Sequence, residues 1–558
     1  MRILRPLPRV VTRPLSVVVL VAWVASMAVL VNRSYLQASP ASLATDLARY
    51  GSTAVWKGVY YRGEKIGFTV SQTIRTEEGF ELQEDGRLQM MLLGADSAAV
   101  LRTRARVDPN FTLQSFEFSL DPGTGAVQVS GAVALPARPG APHRLTIWVT
   151  SGGTTRAEQR DLPEAPVLSQ NLSRVLASGG LVAGKRHTLT IFDPATLRNV
   201  GVTLEVGRRE IVRVADTGVV PAFRVEMEYQ GLRTTSWITD TGDVVKEESP
   251  LGLVSVREAP ERARGLAVPT RIQSDLLRAA AVVPAMAPHL ERRRIDEPRD
   301  VKRLRVRLSG APVPGRDLDG VGQSADGDTI ELSDRQALVA GPADPEASRY
   351  LAPEALIESD DPSIIAEATR AVAGVEGTRA RAERLTRYVN ALLDKKPTIS
   401  LPSAREVLRT KVGDCNEHTA LYVAMARALG IPARIAVGLA YVRGVQGAFY
   451  YHAWPEVYLD EGKGRGLWLP VDPTFNQFPA DTTHLRLARG GLDQQAVIVP
   501  LIGRLKMTIV EIDMAPAVAP PDQQRSQPAL AALPFEPSAR EADGCRCADQ
   551  AAPMPSQP

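Results

Sequence analysis

Cys415, His452 and Asp472 are a thiol, an imidazole and a carboxylate, in that chain order. Three such side chains can perform nucleophilic chemistry. A thiolate attacks a carbonyl, an imidazole carries the proton, and a carboxylate holds the imidazole in one tautomer. Taken singly, each has a bland explanation. A free cysteine is usually a small, inert, buried residue. A lone strand histidine is usually a satisfied structural one, and an aspartate before proline is often a turn residue. Chemistry therefore requires that the local elements bring all three together.

Residues 416–429 read as a helix, with Leu421, Met425, Ala428 and Leu429 recurring on one face. Asp414 is a suitable N-cap, Gly430 a suitable stop, and Pro432 follows just beyond. Cys415 is thus expected at a helix start, where free N–H groups and the helix dipole favour an anion and lower a thiol pKa. Residues 450–459 alternate as a strand, placing His452, Trp454, Glu456 and Tyr458 on one face. The stretch 460–466 (DEGKGRG) is a turn by composition, and 467–471 a return strand ending at Asp472 and Pro473. A hairpin folded about residue 462 or 463 brings His452 within about two residues of facing Asp472, where opposed Cβ atoms are roughly 5 Å apart. Asp472 then fixes the imidazole, and its other nitrogen addresses Cys415.

Three blocks carry a resemblance: Gly413-Asp414-Cys415 leading a helix with Gly430-Ile431-Pro432-Ala433-Arg434 after it; His452-Ala453-Trp454-Pro455-Glu456-Val457; and Trp468 with Val471-Asp472-Pro473-Thr474. They resemble the bacterial transglutaminase-like superfamily, closely over about sixty residues and more loosely from about 350 to 514. The resemblance implies a papain-like core with a Cys-His-Asp triad. Cys415 matches the nucleophile, His452 the general base and Asp472 the orienter. The family holds peptidases, amidases, transamidases and non-catalytic members. Glu417 and His418, one turn into the helix, are expected to pack or hydrogen-bond around the site. Trp454 is expected to wall the cleft or to pack in the core, with the wall preferred. The Cys415 backbone N–H is the expected oxyanion donor, and the glycines of 443–449 suit a rim or lid.

A chain of 558 residues has material for two to four domains. The net charge of +3, with no basic cluster interleaved with aromatics, gives no argument for a nucleic-acid partner. Three cysteines, two of them at 545 and 547 near the C-terminus, make no disulfide framework. Six scattered histidines in no zinc-binding spacing predict no metal site and no cofactor.

Residues 1–14 carry Arg2, Arg5, Arg9 and Arg13 with no acid, and 15–31 hold no charge. This reads as a signal anchor with a cytoplasmic stub, residues 1–37, and everything after it outside the cytoplasm. The expected location is the inner (cytoplasmic) membrane, single-pass, with the bulk in the periplasm. Residues 50–262 alternate as successive strands and are expected to form a β-rich domain, either a binding platform or a spacer. Residues 263–345 are expected to be a linker with short strands, 346–514 the catalytic domain, and 515–558, rich in Pro, Ala, Ser and Gln, a disordered tail.

The expected class is α+β: a papain-like transglutaminase core of helices on an antiparallel sheet, preceded by a large antiparallel β-rich domain and an N-terminal transmembrane helix. The expected activity is cleavage of amide or peptide bonds of an envelope protein or peptide through a thioester. Transamidation is an alternative, as is a non-catalytic scaffold of the same fold.

Overall fold

The computed structural model describes residues 54–516, apart from 135–137, 139–140, 195–197, 215–217, 230–231, 250–251, 266–273, 292–293, 312, 314–317, 445–446 and 491–495. The expected membrane segment, cytoplasmic stub and nearly all of the expected tail, with Cys545 and Cys547, lie outside the described residues. Among the described residues no helix is long and apolar enough to cross a membrane.

The expected α+β class is corrected. Strands make up 51% of the structure and helices 19%, and the largest element is one sheet of fifteen strands. Reading the class from the catalytic segment gave too much weight to its helices. The alternating stretches from residue 55 to 257 pair into this one sheet, antiparallel except where the short strand Val167–Leu168 runs parallel to Arg186–Asp193.

The pairing is simple. From Val55–Tyr61 each strand pairs with the next as far as Thr154–Leu162, and a second run of hairpins leads from Arg186–Asp193 to Leu253–Arg257. The runs are joined where Val55–Tyr61 pairs antiparallel with Leu253–Arg257. The sheet curls. Leu145 and Ile147, near one edge, share a buried cluster with Leu168 and Phe192, near the other. Alternation sets which side chains enter that interior, since successive residues face opposite sides. Along His143–Ser151, Leu145, Ile147, Val149 and Ser151 are buried and their neighbours are not.

A second sheet carries the segment that holds Cys415, His452 and Asp472. Its strands run Gly341–Pro342, Arg465–Pro470, Ala448–Gly462, Ala433–Val442 and Leu485–Gly490 in spatial order. A third sheet places Val301–Ser309 beside Lys506–Met514, the two pairing antiparallel. Leu304 and Val306 from the stretch expected to be a linker pack in the same cluster as Leu421, Met425 and Val457.

The helix Cys415–Ala428 runs through this core, buried from Glu417 to Arg427. Its amphipathic pattern is weak because nearly every face is covered. Tyr422, wholly buried, donates its hydroxyl to the Ala382 carbonyl at 3.0 Å and so ties this helix to Thr378–Leu392.

One strap joins the large sheet to the helix. The Ser97 hydroxyl donates to the Pro397 carbonyl at 2.7 Å. Ile399 and Leu401 pack against the sheet's buried clusters. Between them, Thr398 and Ser400 donate their hydroxyls to Glu417.

Candidate active site

Asp414 caps the helix that begins at Cys415. Its carboxylate accepts from the Asn416 N–H at 3.0 Å, and Glu417 accepts from the Asp414 N–H at 2.8 Å, the reciprocal pattern of a capping box. Gly413 is required here, because a Cβ at that position would stand 2.3 Å from the Glu417 side chain. The Cys415 N–H, first in the helix, has no acceptor within the helix.

The hairpin pairs Glu456 with Pro470 and Tyr458 with Trp468. Continuing that register sets His452 two residues away from the position facing Asp472. The side chains close the gap: His452 Nε2 lies 2.8 Å from Asp472 Oδ2. With Nε2 engaged, Nδ1 is the ring nitrogen left for proton transfer. The imidazole is held between aromatic faces, with Phe475 stacked at 4.7 Å and 5° and Trp454 at 6.1 Å and 22°. Trp454 is 1% exposed, so it supports the ring from the core instead of walling a cleft.

Cys415 is placed by the same strand. The Thr419 hydroxyl, one turn along the helix, donates to the Ala453 carbonyl at 3.1 Å and pins the helix to the residue after His452. The electrostatics differ from the expected lowering of the thiol pKa. Although Cys415 keeps some exposed surface, burial pushes the thiol well above its ordinary value, and Asp414 and Glu417 add to the rise. The Ala453 main chain opposes them. The carboxylates that cap the helix are the ones that disfavour a thiolate. Cys415 therefore rests as a thiol.

Asp472 is wholly buried and fully engaged. Besides His452, its Oδ2 accepts from His484 Nε2 at 3.0 Å, and its Oδ1 accepts from the N–H groups of Thr474 and Phe475 at 2.7 and 3.0 Å. Burial alone would raise the carboxyl, but His452 and His484 outweigh it and hold it far below the usual carboxylate range. On its other side His484 Nδ1 meets Asp481 Oδ1 at 3.1 Å. Burial opposes protonation of His484, yet Asp481 and Asp472 raise its pKa to about 9. At neutral pH it is an imidazolium that donates to a carboxylate from each nitrogen.

His484 and Asp481 were not foreseen. They lie twelve and nine residues beyond Asp472, and the loop between follows no periodicity that would predict their return. A histidine two residues after an Asp-Thr pair was the sole signal. His418 Nδ1 lies 2.7 Å from the Asp414 carbonyl, while its buried Nε2 has no partner. Burial lowers its pKa, so it is neutral.

His452, Asp472 and His484 also place ligand atoms within 4.8 Å of one another. The two histidine nitrogens each also lie within hydrogen-bond distance of Asp472 Oδ2.

Residues 366–473 match the family model of the Transglutaminase-like superfamily core. Residues 366–473 are a transglutaminase-like domain. That stretch holds Cys415, His452 and Asp472 and ends one residue after Asp472. Among solved structures the chain is similar to a candidate cysteine protease from Cytophaga hutchinsonii, with 16% identity, 38% of this chain and 86% of that one covered, and a TM-score of 0.25. It is similar as well to a beta-barrel-like protein of the domain of unknown function DUF1849 from Brucella abortus, with 13% identity, 37% and 94% covered, and a TM-score of 0.30. A third is a candidate protease from Parabacteroides distasonis, with 12% identity, 64% and 69% covered, and a TM-score of 0.16. No curated protein matches the chain.

Proposed function

We propose that this protein is an exported, membrane-anchored cysteine hydrolase that cleaves amide or peptide bonds of an envelope protein or peptide. The observation that carries the reading is the 2.8 Å contact of His452 Nε2 with Asp472 on a strand that the Cys415 helix is pinned to. Cys415 is the nucleophile, His452 the base and Asp472 the orienting carboxylate. Because burial keeps Cys415 a thiol, His452 Nδ1 takes its proton as the sulfur attacks, in place of a preformed ion pair. The C–S bond forms, the carbonyl oxygen becomes the oxyanion near the Cys415 N–H, and His452 returns the proton to the leaving amine. Water then attacks the thioester with His452 again as base. This releases the acid and regenerates the thiol.

The division into a β-rich domain, a connecting region and a catalytic domain is part of this proposal, as are the anchor at 15–31 and the periplasmic location. The raised thiol favours a second reading, a transglutaminase-like scaffold without catalysis.

Trapping decides between them. The full chain, with Cys545 and Cys547 changed to Ser, is incubated with peptides from an envelope extract, quenched in acid and analysed by mass spectrometry. An acyl adduct on Cys415 that is lost in His452→Ala supports the hydrolase. A folded chain that forms none, and that hydrolyses no peptide in the extract, is the scaffold.

A further inference from the structure

Beside Asp481 lies a polar cavity of about 130 Å³ lined by Arg299, Arg335, Arg387, Asp334, Asp481 and Phe478, among others. Its walls are built. Arg335 is 3% exposed. Its Nη1 donates to the Val321 carbonyl at 2.9 Å and its Nη2 to the His484 carbonyl at 3.3 Å. Gly322 makes room for it, since a Cβ there would stand 1.9 Å from Nη1. Among its other N–H groups, the one on Nε is buried without a partner, and no carboxylate lies within ion-pair distance of the guanidinium among the described residues.

A buried guanidinium without a counter-charge is costly. The two carboxylates of the cavity are already committed. Asp334 pairs with Lys302 at 2.9 Å and accepts from the Gln336 N–H. Asp481 accepts from His484, from both the hydroxyl and the N–H of Thr483, and from Gln477. At the rim, Arg299 donates to the Phe475 carbonyl at 3.3 Å, and Arg387 pairs with Glu383 at 2.5 Å. The cavity therefore presents more cationic donors than its own acids answer.

We propose that this cavity binds a small oxyanion, of which inorganic phosphate is the simplest, with Arg335 at its base and Arg299 and Arg387 at its rim. An oxyanion supplies several acceptors at once, which suits a cavity lined by three guanidinium groups. The space is sufficient. Liquid water takes about 30 Å³ per molecule, so the volume holds several waters or one ion of five heavy atoms. Burial pulls Arg335 down to about 10, Arg486 adds to the fall, and Glu456 and Asp481 oppose it; the group is still a cation at neutral pH. The proposal is independent of the hydrolase reading, since it concerns equilibrium binding alone.

Calorimetric titration of the full chain with inorganic phosphate, at constant ionic strength, tests it. One saturable site is expected. Arg335→Gln should weaken it by about tenfold or more, the size of a lost charged hydrogen bond. Arg335 also has structural partners, so a second variant is needed. Arg299→Ala with Arg387→Ala changes two exposed side chains, should leave the fold intact, and should weaken binding as well. Absence of saturable binding in the unmodified chain overturns the proposal. Unchanged affinity in the folded rim variant overturns it too, whether or not Arg335→Gln folds.

Discussion

His452 and His484 meet at a single atom: both direct Nε2 at Asp472 Oδ2, at 2.8 and 3.0 Å. The carboxylate thus divides its charge between the His452 imidazole and a second one that is protonated at neutral pH. Asp481 supplies His484 with a charge of its own.

That arrangement makes stability depend on pH. The folded pKa of His484, about 9, lies above its ordinary 6.5. A raised folded value contributes stability fully below 6.5 and loses it as pH rises through 9. The contribution is on the order of 3 kcal/mol. Urea unfolding from pH 6 to 9.5 should show stability falling over this window, and His484→Gln should flatten the fall. An unchanged slope in the variant would mean that His484 is neutral in the folded chain.

Cys415 should label late. Its thiol is pushed well above the ordinary range by burial, Asp414 and Glu417. In a background without the two C-terminal cysteines, iodoacetamide should modify Cys415 more slowly than glutathione at pH 8, and the difference should narrow as pH rises further. Rapid modification at pH 6 would show a preformed thiolate.

Glu456 is buried between Arg434 and Arg486, at 2.8 and 3.1 Å. Burial raises its carboxyl, but the Arg486 and Arg434 charges win and bring it to about 2. Its stabilisation is present above 4.5 and is lost as pH falls through 2. Glu456→Gln leaves two buried cations short of a charge and should cost about 3–5 kcal/mol at neutral pH. A loss under 1 kcal/mol by urea denaturation would mean that the arginines find other acceptors.

Glu417 should matter twice. It accepts from the Asp414 N–H, Thr398 and Ser400. Glu417→Ala strands three donors and should destabilise the chain by about 2 kcal/mol or more. Removing a neighbouring negative charge should also move Cys415 labelling to lower pH. A variant with lower stability but the same labelling profile would separate the cap from the electrostatics.

The site was legible where its signals are local. Asp414 before Cys415, Gly430 after the helix, and the turn at 460–466 each fix an element over a few residues. The hairpin register then brings His452 near Asp472. Asp481, His484 and Arg335 reach the same network from the loop after Asp472 and from a distant short helical turn, and no period links them. The thiol pKa was misjudged for a different reason. A helix start favours an anion in isolation, but here the capping carboxylates stand beside the sulfur in a buried place. The α+β class failed because the fifteen strands outweigh the core. Alternation signals a strand, but nothing in it counts how many share one sheet.

The strap at 397–401 bears on modularity. A cut through the chain at 346–514 would free a segment whose Leu356, Ile399 and Leu401 now lie against the large sheet, and would deprive the Pro397 carbonyl of Ser97. Ile399 and Leu401 would then face water directly beside Thr398 and Ser400, the partners of Glu417. The segment that holds Cys415, His452 and Asp472 is thus no portable cassette. Transplanted to another carrier, it would need either that sheet or a rewritten strap to keep the cap of the Cys415 helix in place.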